Sequence, residues 1–574
     1  MELSIINVII FLLIIATIVL SVYSLINTMG NRGKGGKGGG PSPSPPGPLP
    51  PASPCPPSPP SSPGSQTADT WYNIFQVYPN EVNKGDNPGY GYRDKLESIK
   101  FDESKSKFKT RLSDRVATAL WLDSIEHSKA RFINALEWMK KNGKTNIIVI
   151  VYNVPNRDCH AVASNGELCC SKTSEGYCDP KTQTEFQKET KKCLQLESTG
   201  DGKSYQDYID GIKNTINNYC DINFKLIIEP DCFSNIITNS GFADEEPKNQ
   251  CGANTSKLSY LPGIHYAITQ LGECGNAELF LDVAHPLWLG WDMGIFDGDS
   301  KGLTSTLLGG KKINSKFTKL QKPDDDIINL LGPKFQYDTT TWVNYLSGFA
   351  INVSNYIPLG DDKTFNKSIE VGNIPDIPQN TPCNNKPSSN PITNLRNYAA
   401  LLRYLFKGKM KDGKDPIIYA DTSRNGRMDK QYSHNQTVGI SEPCASWCNV
   451  FGNFGPTIGE PTFKENGEFN QFSEQDYLYL MYCKPPGESD GCVNPDVQTQ
   501  KQSPQETAGS ASPKACNPNE QNGTCARFDT MCGIKGTRGY NDGTDTDTDM
   551  AICPPEAGQW DDIQMKRLIN NFKQ

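Results

Sequence analysis

The sequence predicts an α/β fold built on a seven-stranded parallel barrel. Three observations lead there. Seven short apolar runs recur along the chain, at 117–122, 147–152, 226–228, 279–281, 350–353, 417–419 and 478–482. Amphipathic stretches of helical period separate several of them, as at 128–140 and 205–219. Each run also ends in a polar cluster. Strands that alternate with helices imply a parallel sheet, and closing that sheet buries both of its faces.

The polar clusters locate the chemistry. In chain order they hold Asp123, Asp158, Asp231, Asp282, Asn355 and Asp421, then Lys484, Glu488 and Asp490. Barrels of this kind carry their reactive groups at the C-terminal ends of the strands. Five of the seven runs reach an Asp within six residues, so carboxylates gather around one mouth.

Ahead of the barrel the chain has a different character. From Ile5 to Ile26 it is almost continuously apolar over 22 residues, and a bilayer core needs about 20. No basic residue precedes this run and no small-residue cleavage site follows it, so residues 1–30 read as a retained transmembrane anchor, with a signal segment and a secreted protein as the alternative. Residues 31–69 are rich in Gly, Pro and Ser and build no core; they read as a spacer, flexible at first and then extended. The globular head is expected over 70–574. Arg32, Lys34 and Lys37 would draw their side of the span into the cytoplasm. The cysteines argue for the opposite orientation.

There are 19 cysteines, all after residue 50, and none is arranged as zinc-ribbon pairs. That usage implies several disulfides and an oxidising, extracytoplasmic compartment, with at least one thiol left over. Five Asn-x-Ser/Thr triplets, at Asn254, Asn352, Asn366, Asn435 and Asn522, are consistent with that compartment. A net charge of −8 speaks against nucleic acid as a partner. No cofactor is expected. Asp545, Asp547, Asp549 and Glu556 resemble a calcium loop only loosely, because Met550 stands at the position that needs glycine and two prolines interrupt it; no metal is assigned.

Several carboxylates at one mouth suit glycosidic bond cleavage, which uses one protonated acid and a second carboxylate. The competing chemistries lack their motifs: there is no G-x-S-x-G, Walker loop or dinucleotide fingerprint, and only five histidines. Trp121, Trp288, Trp291 and Trp447 lie near the same strand ends. Indole faces there suit the apolar faces of sugar rings, while core packing is the plain alternative for any one of them.

Five motifs then occur in order: VYNVPNRDCHAVASNG at 151–166, LIIEPDCFSNIITN at 226–239, LFLDVAHPLWLGW at 279–291, ASWCNVFGNFG at 445–455 and KPPGESDG at 484–491. Shorter ones flank them, ALWLDSIEH, YADTSRNG and PPEAGQW. Together they resemble glycoside hydrolase family six, the inverting cellobiohydrolases and endoglucanases. The resemblance implies a distorted seven-stranded barrel and a role for each matching residue. Asp231 matches the general acid, and Asp158 the carboxylate that keeps that acid protonated and joins the water relay. Tyr152 matches the tyrosine that distorts the sugar, Ser164 the serine that places the water, and Asp490 the candidate base. Trp121, Asp123, Asp282, His285, Trp288, Trp291, Asn355, Trp447, Lys484 and Glu488 match substrate-binding positions, with Arg157 and Arg424 in support. Cys159–Cys251 and Cys448–Cys532 match the family's disulfides. Departures stand at His160, Cys232 and Phe233, where they are expected to alter subsite shape. An insertion holding Cys169, Cys170, Cys178 and Cys193 follows the serine loop.

The function implied is hydrolysis of β-1,4-glucan, cellulose above all, with inversion. The long segment after Asp490 includes ARFDTMCG, which resembles the roofing loop of the chain-end-cutting members, and so points to a covered cleft releasing cellobiose. The alternatives are an open-cleft endoglucanase and a catalytically silent glucan-binding or cellulose-biogenesis protein. The expected partners are a β-glucan chain and, through the N-terminal helix, a membrane.

Overall fold

In the computed structural model the described residues are 118–159, 161–169, 203–238, 259–290, 339–360, 365–372, 394–426, 475–493, 527–529 and 554–570, with isolated positions between them such as Cys55 and Tyr177. The chain divides into Met1–Pro51 and Ala52–Gln574, and every described residue belongs to the second unit. The apolar run at 5–26 lies outside the described residues. Among those described, no helix is long and apolar enough to cross a membrane.

All seven expected strands are present: β1 Leu120–Leu122, β2 Asn146–Val151, β3 Asn223–Ile228, β4 Ala277–Asp282, β5 Leu346–Ile351, β6 Ile417–Asp421 and β7 Leu478–Met481. They form one parallel sheet in sequential order. Among the described residues its edges meet through a single parallel bridge, Thr118 to Tyr482, where Ala119 N–H donates to the Tyr482 carbonyl at 3.0 Å. The barrel is therefore nearly open between β1 and β7.

Period-two alternation divides the strand residues between two cores. Ile148, Ile150 and Tyr152 point inward with Ile227, Phe280, Ala350, Tyr419 and Tyr479. Ile147, Val149 and Val151 point outward against the helices. Inside, Phe280 and Tyr419 meet edge to face at 4.6 Å. Gly348 of β5 is required by contact, since a Cβ there would lie 1.8 Å from the Ile417 carbonyl oxygen.

The helices follow from their caps and stripes. In α1, Ile125–Lys141, the residues Phe132, Ala135, Leu136 and Met139 recur at helical spacing and are buried. In α2, Tyr205–Asn217, Ser204 and Asp207 form a reciprocal capping box, and Tyr205, Tyr208, Ile209, Ile212 and Ile216 face the sheet. α3 is Cys232–Thr238, α4 Leu261–Gly272, α5 Leu395–Leu405 and α6 Asp562–Asn570; α5 starts where Asn394 accepts from Asn397 N–H.

Two expectations change. Cys55, placed in the spacer, is buried and bonded to Cys220, so this one position of the 31–69 segment is tied to the head. Asn352 is fully buried, with its amide donating to the Asp421 carbonyl and accepting from Ile357 N–H. That Asn-x-Ser triplet serves the fold and is closed to glycosylation.

Candidate active site

The backbone is strained at the C-terminal ends of the strands. Among the described residues eight non-glycine positions have positive φ, and seven of them (Asn156, Asp158, Glu229, Asp231, Ala284, Asn352 and Ser354) follow strands β2 to β5. Such conformations are costly for side chains with a Cβ and persist where the surroundings impose them, often at functional sites. They aim Asp158 (φ 50°) and Asp231 (φ 65°) into one cleft.

Asp231 follows β3. Its N–H donates to Asp282 Oδ1 at 3.0 Å, and its own Oδ1 is buried with no protein partner. Burial pushes its pKa far up, reinforced by the charges of Asp282, Asp158 and Asp490 and opposed by Lys484. A carboxyl in this setting keeps its proton near neutrality.

Asp158 and Tyr152 share the wall after β2. The Tyr152 hydroxyl donates to Asp158, and the Tyr152 ring meets Trp121 edge-on at 5.2 Å. Arg157 stacks over that ring at 4.1 Å and donates to the Asp123 carbonyl at 2.7 Å. Burial raises the Asp158 pKa, while Ser164, Tyr152, Arg157 and Arg527 stabilise its charged form. Ser164 ends a short 3₁₀ turn, Val162–Ser164, at the cleft rim. Asp123 also lines the cleft; burial raises its pKa, but the charges of Arg131, Arg157 and Arg527 bring it below the usual value.

Across the cleft, Asp490 has the opposite electrostatics. Arg424 Nη1 lies 2.7 Å and 2.8 Å from its two oxygens, Lys484 Nζ lies 3.4 Å away, and Tyr356 donates to Oδ2. Burial would raise its pKa, but these cations and hydrogen bonds hold it below the usual carboxylate value. Asn355, Lys484 and Glu488 line the same wall. Burial lifts Glu488 to about 8, against the pull of Lys484. Asp231 is thus biased toward the acid form and Asp490 toward the anion, the separation that general acid–base chemistry requires.

Several expected residues stand behind the cleft. Asp282 is 1% exposed and binds Asp231 N–H and Ala284 N–H, so it supports the site from below, with burial raising its pKa to about 7. Arg424 is fully buried and reaches the site through Asp490. His285 is buried with Nδ1 lacking a protein partner, and burial lowers its pKa to about 3. Its ring lies 6.0 Å from half-buried Trp288. Cys232 and Phe233 pack at 0% exposure in the outer core, so these departures leave the cleft wall unchanged. Trp291, Trp447, His160, Cys251, Cys448 and Cys532 lie outside the described residues. Cys159 is disulfide-bonded, and Cys169 pairs with Cys178.

Four residues have roles that sequence reasoning missed. Glu229 accepts from Asn153 N–H, Val154 N–H and the Tyr205 hydroxyl, tying the ends of β2 and β3 together. Asp421 accepts from Ser354, Ser423, Cys483 and Lys484 N–H groups, tying β5, β6 and β7. Tyr356 bonds Asp490 and accepts from Gln564 of α6 at 3.2 Å. The EPD and YADTSRNG motifs contained Glu229 and Asp421; nothing local marked Tyr356 or Gln564. Among the described residues no cluster of three or more His, Cys, Asp or Glu is arranged to hold a metal ion.

This constellation has relatives. The model of the family described as "Glycosyl hydrolases family 6" matches residues 87–184 and 186–308. The 1,4-beta-D-glucan cellobiohydrolase C of Emericella nidulans is 26% identical over 424 residues, covering 74% of this chain and 60% of that protein. Exoglucanase 2 of Hypocrea jecorina is 32% identical over 182 residues, 31% of each chain. The chain thus spans about 60% of the length of the first of these relatives. The catalytic domain of Cellulomonas fimi Cel6B has the same fold, with a TM-score of 0.50 at 21% identity over 88% of this chain and 95% of that one. The family match takes in the RDC and EPD motifs, and over these residues the chain is similar to glycosyl hydrolase family 6.

Proposed function

We propose that this chain hydrolyses β-1,4-glucosidic bonds of cellulose or a related β-glucan with inversion of configuration. The observation that carries the reading is the pair Asp231 and Asp490, which line one cleft with pKa values displaced in opposite directions.

Asp231 protonates the departing sugar oxygen. Asp158 helps keep that proton in place by its charge and, with Ser164, holds the water that attacks the other face of the ring. Tyr152, beneath the cleaved bond, presses the sugar away from its relaxed chair. Trp121 offers an apolar face, while Asp123, Asn355, Lys484 and Glu488 bind hydroxyls. Asp490 is a weak base because Arg424 and Lys484 stabilise its charge, so the water's proton leaves by way of Asp158 and Ser164 as well. The names of the relatives support the substrate class.

The head works from chain ends in an oxidising, extracytoplasmic compartment, held at a membrane by the 5–26 run. The Cys169–Cys178 bond beside the serine loop supports both the compartment and a covered cleft. The test is release of reducing sugar from amorphous cellulose, with NMR following the anomer formed first. Asp231→Asn should lose about 10²–10⁴-fold in rate. A β-anomer as first product, or a variant keeping a tenth of the wild-type rate, would overturn the reading.

A further inference from the structure

One cleft-lining cation has no role in that mechanism. Arg527 belongs to the ARFDTMCG segment, just before the two-residue strand β9, Phe528–Asp529. β9 pairs in parallel with β8, Cys492–Val493, so Arg527 stands at the level of Gly491, next to Asp490. Its residue is only 8% exposed, although it lies on the cleft wall.

The guanidinium joins three chain segments. Nη1 donates to the Asn165 carbonyl at 3.0 Å, immediately after Ser164. Nη2 donates to the Ala557 carbonyl at 3.1 Å and lies 3.8 Å from Glu556 Oε2. Its plane covers the Tyr177 ring at 4.1 Å. Tyr177 precedes Cys178, whose carbonyl accepts from the Asn165 amide at 2.8 Å and whose N–H donates to the Gly166 carbonyl at 3.0 Å. The loop also has no space at Gly491, because a Cβ there would lie 2.3 Å from Ala163 Cβ. The serine loop is therefore in contact with both Gly491 and Arg527.

We infer that Arg527 is a positioning residue: its planar fork holds the Asn165 peptide and thereby fixes where Ser164 and Asp158 present the attacking water. The inference rests on the hydrolytic reading above. A lysine in its place would keep the charge but lose the two divergent hydrogen bonds. The Arg527 charge also acts on Asp158, which is faced by Tyr152, Arg157, Asp231, Cys232 and Tyr260 as well. Arg527 opposes the upward effect of burial on Asp158, so removing it should raise the pH at which Asp158 ionises.

The test uses Arg527→Met and Arg527→Lys in the full chain, with two readouts. The first is the pH profile of kcat and KM on a soluble cello-oligosaccharide. Arg527→Met should lower kcat by about tenfold to a hundredfold with KM nearly unchanged, as expected for misplacing a reacting group, and should move the acid limb to higher pH. Arg527→Lys should lose kcat but keep the acid limb. The second readout is amide hydrogen exchange over residues 161–166, which should accelerate in both variants. An unmoved acid limb and full kcat in Arg527→Met would overturn the inference, as would unchanged exchange. A lower melting temperature with neither change would reduce Arg527 to a structural tie. If the wild-type protein cleaves no glucan, the functional reading fails by itself. Exchange over 161–166 then decides alone: acceleration upholds the hold of Arg527 on the loop, and none refutes it.

Discussion

Asp231 and Asp282 are joined by a backbone N–H donating to a carboxylate at 3.0 Å, and the Asp282 charge raises the cost of ionising Asp231. Asp282 ends β4 with inward parity, two residues beyond Phe280, so it lies under the mouth rather than on its wall. It fixes the left-handed turn that aims the proposed acid and helps keep that acid protonated.

Asp282→Asn separates these two effects. The amide oxygen still accepts from Asp231 N–H, but the negative charge is gone, so the pKa of Asp231 falls. Because the proposed acid acts in its protonated form, the alkaline limb of the pH–rate profile should move to lower pH. Asp282→Ala also strands two buried N–H groups and should destabilise by about 1–3 kcal/mol. An alkaline limb that stays in place in Asp282→Asn would show that the charge does not reach the acid.

The same geometry explains how far the sequence could be read. Strand positions followed from apolar runs, and the mouth from the polar residues that end them. β5 begins four residues before its apolar run because Ser347 and Gly348 interrupt the apolar character there, and close contact with Ile417 selects the glycine. A strand-end carboxylate gives no local sign of whether it faces the cleft or supports it. Asp231 and Asp282 look alike in sequence, and only the packing of the turns separates the acid from its support. Tyr356, Gln564 and Arg527 reach the site across 134, 208 and 362 residues of chain in the bonds that define them. No short window contains such links.

Buried carboxyls also fix the pH dependence of stability. Burial raises Glu229 and Asp282 to about 7 and Glu488 to about 8, from ordinary values of 4.5, 3.8 and 4.5. Between the two values the folded chain keeps protons that the unfolded chain has released, so stability falls as pH rises through this window. Thermal stability should therefore be higher near pH 5 than near pH 8. Glu229→Gln should flatten part of that slope, because the amide retains an acceptor for the bonds from Asn153 and Val154 but cannot ionise. Calorimetric melting temperatures across this range are the check, and a rise toward pH 8 would contradict the assignment.

Cys55–Cys220 closes a loop with a sequence separation of 165. Loops of that length give large nominal entropic stabilisation, and removing a native disulfide typically costs about 2–5 kcal/mol. Cys220 follows α2 on the side where β3 begins, remote from the mouth. Cys55→Ser should therefore lower the melting temperature and leave kcat on a soluble cello-oligosaccharide within twofold or so, given that separation from the chemistry. A large fall in kcat with unchanged melting would mean that the staple acts on the cleft instead.

The bracing of the serine loop bears on the proposed mode of attack. The serine loop is braced by the insertion pinned at Cys169–Cys178, by Gly491 packed on Ala163, and by Arg527 from the segment after Asp490. A loop held on three sides loses little further freedom when a glucan chain enters, whereas a loose one would have to be ordered at each encounter. A braced serine loop is consistent with the proposed threading from a chain end rather than binding along the middle of a polymer. Carboxymethyl-cellulose separates the two modes, since its bulky groups obstruct threading but leave exposed internal bonds open to attack. The protein should release cellobiose from amorphous cellulose and lower the viscosity of carboxymethyl-cellulose only slowly for each reducing end made. A steep early fall in viscosity with few new ends would mean that the roof opens and the chain cuts internally.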